Sequence, residues 1–292
     1  MKTIAVLTDF SKRAENAARY ALHLAEHLHA NIKLYNSFLV PANIPMSGQI
    51  VWPVESSEDL KLEHMHQLKL FGAKLKKEFS IIANVKFKPE IEYECHDGDF
   101  TSYLKKLEAE NDMILLVVGN HEKGISSWLM GNHVNELMDN ITLPVLVIGE
   151  EQKFTKINKI AFATDLSTQD IAQIHSLSGL ASAFNAEIVI VHVADEKYSE
   201  KESQEKVNHL LREVTAKINF SKVYFRDIKS SDAGDGLGWF TAHGRIDMLV
   251  MVHHPQTFFQ ELFKGSLSKE IAAKIHLPLL IYPSMASSVP VF

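Results

Sequence analysis

The stretch VVGNHEKGISSWLMGNHV, Val117 to Val134, carries an apolar run into glycines and then into a Gly-Asn pair at a helix start. That is the layout of a backbone cradle for phosphate. Glycines let main-chain amides close on an anion, and a helix N-terminus adds unpaired N–H groups and a favourable dipole. Here Gly119, Gly124 and Gly131 supply the flexible positions and Asn132 a polar side chain. Glu122 adds a negative charge that repels phosphate unless Lys123 or a metal offsets it. A parallel set lies further along the chain, with His253, His254, Gly265 and Ser266. Two acids, Asp9 in LTDFS and Asp165 in ATDLS, each follow a short apolar run. An Asp between strand and helix caps the helix, and the same carboxylate can also touch a ligand.

The elements that must position these residues are written twice. A constant offset pairs Ile4 with Ile160, Thr8 with Thr164, Asp9 with Asp165, Ser11 with Ser167, Leu24 with Leu180 and Ile32 with Ile188. Later, DMILLVV from Asp112 matches DMLVMVH from Asp247, and LPVLVI from Leu143 matches LPLLIY from Leu277, so the second copy is shorter in its middle. Within each copy short apolar runs alternate with helical patterns. Strands are expected at 2–8, 31–37, 85–93, 113–118 and 143–148, then at 158–163, 187–193, 222–228, 248–253 and 278–282. Helices of the first copy are expected near 12–29, 58–79, 99–110 and 131–140. Runs this rich in Val, Ile and Leu suit parallel strands covered on both faces. Strands alternating with helices make a doubly wound α/β sheet. Domains are expected at 1–150 and 157–284, joined by GEEQKFTKIN. In such sheets ligands collect at the carboxyl ends of the strands, so the Asp9 loop, the loop after strand two and the glycine loop should converge.

Bulk composition narrows the classes. The chain of 292 residues is 46% hydrophobic and 23% charged, enough for a sizeable core under a soluble surface. A net charge of −6 argues against broad nucleic-acid binding, which needs clustered cations. No apolar run approaches the roughly 20 residues of a membrane helix, and Asp9 comes too early for a signal-peptide core. With Cys95 the only cysteine, no internal disulfide forms, which suits a cytoplasmic setting.

These features resemble the universal stress protein family, as two tandem domains covering nearly the whole chain. LTDFS and ATDLS close strand one, DMILLVVG is strand four, Gly-Asn or Gly-Ser opens the last helix, and LPVLVI or LPLLIY is the final strand. The resemblance implies flavodoxin-like domains, each a five-stranded parallel sheet of order 3-2-1-4-5, paired with each other through their last strands. It also implies a cytoplasmic stress-response role. ATP-binding members carry Gly, two residues, Gly, nine residues, then Gly with Ser or Thr. In copy one Glu122 stands at the second glycine, Gly124 is displaced and Asn132 replaces the hydroxyl. In copy two Val252 and Pro255 stand at the first two glycines, so that Gly265 and Ser266 remain without their cradle. Copy one therefore reads as a degenerate site for ATP or another small anion, around Asp9, Gly119, Glu122, Gly124, Gly131 and Asn132. Copy two reads as non-binding, with Asp165 a cap.

His23 and His27 have chelating spacing, but no convergent ligand set accompanies them and no metal is expected. ECHDGDF, Glu94 to Phe100, reads as a strand end with a turn at Gly98, not a triad. Phe259 and Phe263 pack at helical spacing or, with Trp128 and Phe258, form a protein-contact patch. The aperiodic segment 38–60 follows strand two and could cover copy one as a lid. The chain is thus expected to be a regulatory or protective binding protein, not an enzyme. Its alternatives are a nucleotide-free interaction scaffold with protein partners, or a slow ATP hydrolase using Glu122.

Overall fold

The structure, a computed structural model, describes residues 1–38, 57–81, 85–98, 110, 112–120, 141–168, 170–194, 200–253, 277–283 and 292. The first copy contributes β1 Thr3–Leu7, α1 Lys12–Leu28, β2 Asn31–Phe38, α2 Ser57–Ser80, β3 Ile91–Asp97, β4 Met113–Asn120 and β5 Val145–Gly149. The second contributes β6 Lys159–Ala163, α3 Asp170–Phe184, β7 Glu187–Ala194, α4 Glu200–Lys217, β8 Val223–Lys229, α5 Ala233–His243, β9 Met248–His253 and β10 Leu279–Pro283. The helices expected near 99–110 and 131–140 fall outside the description, as does 39–56 of the expected lid. The ends of that segment belong to β2 and α2.

All ten strands join one sheet in the order β3-β2-β1-β4-β5-β10-β9-β6-β7-β8. Within each copy the pairing is parallel and follows the order 3-2-1-4-5. The copies meet where β5 and β10 pair antiparallel, with Leu146 opposite Leu280. The flavodoxin-like fold and the joining of last strands thus stand as expected. Strand boundaries agree to within a residue or two except at β3, expected at 85–93 and found at Ile91–Asp97. Pro89 explains the shift: it has no N–H to give the ladder, so pairing starts after it.

One buried layer of apolar side chains lies under α1 to α4 and runs unbroken across both copies. A second layer fills the opposite face, where α5 contributes Leu237. The repeat is visible at the helix ends. α1 and α3 both finish in a left-handed residue, His29 (φ 51) and Asn185 (φ 54). The amides of Ala30 and Ala186 then reach back to the carbonyls of Ala25 and Ala181 at 2.9 and 2.8 Å, closing off both helices.

The linker is bound to α1. Asn16 donates to the carbonyls of Gly149 and Gln152 at 2.8 Å each. Phe154 meets Tyr20 edge-on at 5.0 Å and stacks on His23 at 4.6 Å. His27 stacks on Phe184 of α3 at 4.4 Å. The histidines at chelating spacing thus make ring contacts, His23 with the linker and His27 with the second copy.

Candidate functional site

β1 ends at Leu7, and the next four residues form a pair of nested turns. Thr8 Oγ1 accepts from the Phe10 amide at 3.0 Å, and Asp9 Oδ1 accepts from the Ser11 amide at 3.1 Å and from the Ser11 hydroxyl. Ser11 Oγ in turn accepts from the Ala14 amide at 3.3 Å and is the N-cap of α1. Phe10 takes a left-handed φ of 61 to make this path. The second copy repeats it. Leu166, φ 67, donates to Thr164 Oγ1 at 2.9 Å, and Ser167 donates to Asp165 Oδ1 at 2.9 Å. So Asp9 and Asp165 close turns one step before the helix. Ser11, not Asp9, is the cap of α1, and Asp165, expected as a cap, lies five residues before α3 begins and instead binds the turn amide of Ser167.

Among the described candidates Asp9 is the exposed one, with half its side chain open to solvent (50%). Arg13, one helical turn on, sets Nη2 2.6 Å from Asp9 Oδ2. Partial burial raises the Asp9 pKa, but hydrogen bonds from Ser11 and Arg13 outweigh it and hold the carboxyl below its usual value. The loop is braced from behind. Asn36, buried in β2, donates to the Thr8 carbonyl at 2.8 Å and faces His64 Nδ1 of α2 with its Oδ1 at 2.8 Å. Because the Asn36 amide nitrogen is committed to Thr8, His64 Nδ1 is the donor in that contact. His64 stacks on Phe38 at 4.6 Å, and Phe10 meets Phe71 edge-on at 6.1 Å. In copy two His192 Nδ1 lies 3.2 Å from the Thr164 carbonyl. Arg13, Asn36 and His64 were not singled out in the sequence. Their signals were slight: an i,i+4 partner for Asp9, and a lone amide in the apolar run IKLYNSF.

Gly119 closes the picture on the β4 side. A Cβ there would lie 2.7 Å from the Arg13 carbonyl carbon and oxygen and 3.0 Å from the Ala14 nitrogen. Close seating of α1 against β4 thus accounts for this glycine before any ligand is considered. By sheet register Gly119, opposite Ile148, corresponds to Val252, opposite Tyr282. Copy two therefore lacks the close approach as well as the glycine. His253 ends β9 as expected and is buried at 4% exposure opposite Pro283. Glu122, Gly124, Gly131, Asn132, His254, Gly265 and Ser266 lie outside the described residues.

Two other sequence candidates fall into structural places. Cys95 is buried in β3, where burial raises its thiol pKa, and Gly98 makes the expected turn with φ 121. Among the described residues no group of three or more His, Cys, Asp or Glu could hold a metal. No helix among them is long and apolar enough to cross a membrane.

The model of the universal stress protein family matches residues 1–149 and again 156–283. The chain belongs to the universal stress protein family. Among solved structures, this universal stress protein is similar to one from Archaeoglobus fulgidus DSM 4304 at 11% identity, covering 96% of this chain and 95% of the other, with a TM-score of 0.61. A functionally unknown protein from Pseudomonas aeruginosa PAO1 aligns at 12% identity over 97% and 93%, with a TM-score of 0.54. The cytoplasmic domain of a prokaryotic cation chloride cotransporter aligns at 9% identity over 99% and 98%, with a TM-score of 0.52. At such identities the likeness is one of fold. No curated protein matches the chain.

Proposed function

We propose that this universal stress protein is a stress-response binding protein whose ligand end is the carboxyl end of the first copy's sheet. One observation carries the reading: Asp9, half exposed and locked by Ser11 and Arg13, stands at the end of β1 beside β4. A carboxylate held in one position can accept hydrogen bonds from sugar hydroxyls or an exocyclic amine without ordering cost at binding. Arg13 offers positive charge next to it. The ligand class is an adenine nucleotide or another small anion with a polar appendage, with Gly124, Gly131 and Asn132 supplying amides and Glu122 limiting charge density. The reading is one of binding rather than turnover. A cytoplasmic setting fits it.

The experiment is release of bound ligand. Purified protein is denatured, and the supernatant is analysed by chromatography with mass detection. A near-stoichiometric adenine nucleotide, lost in Asp9→Ala, supports the proposal. An empty protein whose melting ignores ATP, ADP and cyclic nucleotides sinks it. That result would favour the scaffold reading, for which Trp239 on α5, 60% exposed, is a ready contact.

A further inference from the structure

α1 and α3 hold equivalent places in the two copies, but the faces they turn to the sheet differ in kind. α1 buries Ala14, Ala17, Ala18 and Ala21, and lies directly on β1, β4 and β5. On α3 the repeat puts Asp170 at the place of Ala14, Gln173 at that of Ala17 and Ser176 at that of Tyr20. All three are buried, at 1%, 3% and 1% exposure. The sheet below has changed with them, carrying Phe162 for Val6, Val252 for Gly119 and Tyr282 for Ile148. A helix face that packs by Ala14, Ala17 and Tyr20 in one copy has become a buried polar line in the other.

Both ends of that line are joined to the sheet. Thr164 Oγ1 donates to Asp170 Oδ2 at 2.5 Å. The Tyr282 hydroxyl donates to Ser176 Oγ at 3.1 Å. Gln173 lies between them, three residues from each and so on the same side of the helix. Its Oε1 is fully buried and receives no hydrogen bond. A buried acceptor without a donor is unfavourable, and packing does not demand it, because alanine serves at the same place in copy one.

The surroundings select what belongs there. The groups named along this face end in oxygen, and one of them is the Asp170 carboxylate, which repels an anion. Divalent and transition metals call for more charged or nitrogen and sulfur ligands than the described residues bring together. A single carboxylate combined with neutral oxygens that replace water of hydration suits a monovalent cation. We infer that the second copy binds one monovalent cation, an alkali ion or ammonium, between Asp170 and Gln173 beneath α3. The copy that has lost its anion cradle has been refitted for the opposite charge.

The test uses the full chain, unfolded and refolded into equal concentrations of potassium, sodium, ammonium or choline chloride, and follows thermal unfolding. At least one of the small cations raises Tm saturably over choline, by about 2–4 °C for a domain of this size. Choline is too bulky for a buried site. Gln173→Leu loses the increment and melts in choline no lower than the parent. Gln173→Ala, which restores the residue of copy one, is the second variant should leucine fail to fold. Equal Tm in all four salts overturns the inference and leaves water as the partner of Gln173. A cation increment that survives in the Gln173 variants overturns it too, by placing the ion elsewhere.

Discussion

At the scale of single residues, Gly119 and Asp9 shape the carboxyl end of the first copy's sheet. Gly119 is set by contact with the backbone of Arg13 and Ala14. Gly119→Val should cost about 1–3 kcal/mol in urea melts through overpacking, and Val252→Gly should not behave as its mirror image, since no close helix awaits it. A loss at Gly119→Val below 0.5 kcal/mol would mean that α1 can move aside. Asp9 yields a pH prediction. Its folded pKa lies below the ordinary 3.8, so its contribution is present above that value and is lost as pH falls through the folded pKa. The carboxylate is half exposed and water screens it, so Asp9→Asn should cost only about 0.5 kcal/mol at neutral pH. The two proteins should converge in acid. The place of Asp9 between strand and helix was legible, but it reads in the sequence as a helix cap, and the structure gives that role to Ser11 and a turn to Asp9. The grip of Arg13 was not legible, since many i,i+4 pairs on paper never form.

At the scale of elements, every strand but β3 was read to within a residue or two because parallel strands are continuous in Val, Ile and Leu. What the pattern could not show was the job of the linker. Phe154 is its only aromatic residue, and it inserts among Tyr20, His23, His27 and Phe184. Phe154→Ala should lower stability by about 2–3 kcal/mol, less than a fully buried phenylalanine would. His23 adds a titration to this joint. Burial lowers its pKa from 6.5, and proximity to His27 lowers it further while Glu26 opposes. The folded state prefers it neutral, so stability is complete above 6.5 and declines as pH falls from there toward the lowered folded value. His23→Phe keeps an aromatic ring on Phe154 and should flatten the stability profile between neutrality and pH 5; an unchanged slope would move the effect to another group.

At the scale of the molecule, the β5–β10 pair is what makes two copies one body. A fragment of residues 1–156 would expose β5 as an edge strand next to an apolar layer. It should form a dimer through that strand, with Leu146 of a second copy taking the place of Leu280, and Leu146→Lys should return it to a monomer in light scattering. A monomeric wild-type fragment would mean that the linker shields the edge. The resemblance to the family made this pairing foreseeable, whereas the buried polar line under α3 was not, because Asp, Gln and Ser at helical spacing read equally well as a solvated face. The antiparallel seam has one more consequence. It turns the strands of the second copy head to tail against those of the first, so the Asp9 and Asp165 loops open at opposite rims of the slab. Even one five-residue strand separates its two ends by roughly 17 Å. Whatever settles at one rim cannot crowd the other, and mutations that ruin one mouth leave its twin intact. Such an arrangement lets natural selection rewrite one half of the protein while the other keeps its old trade.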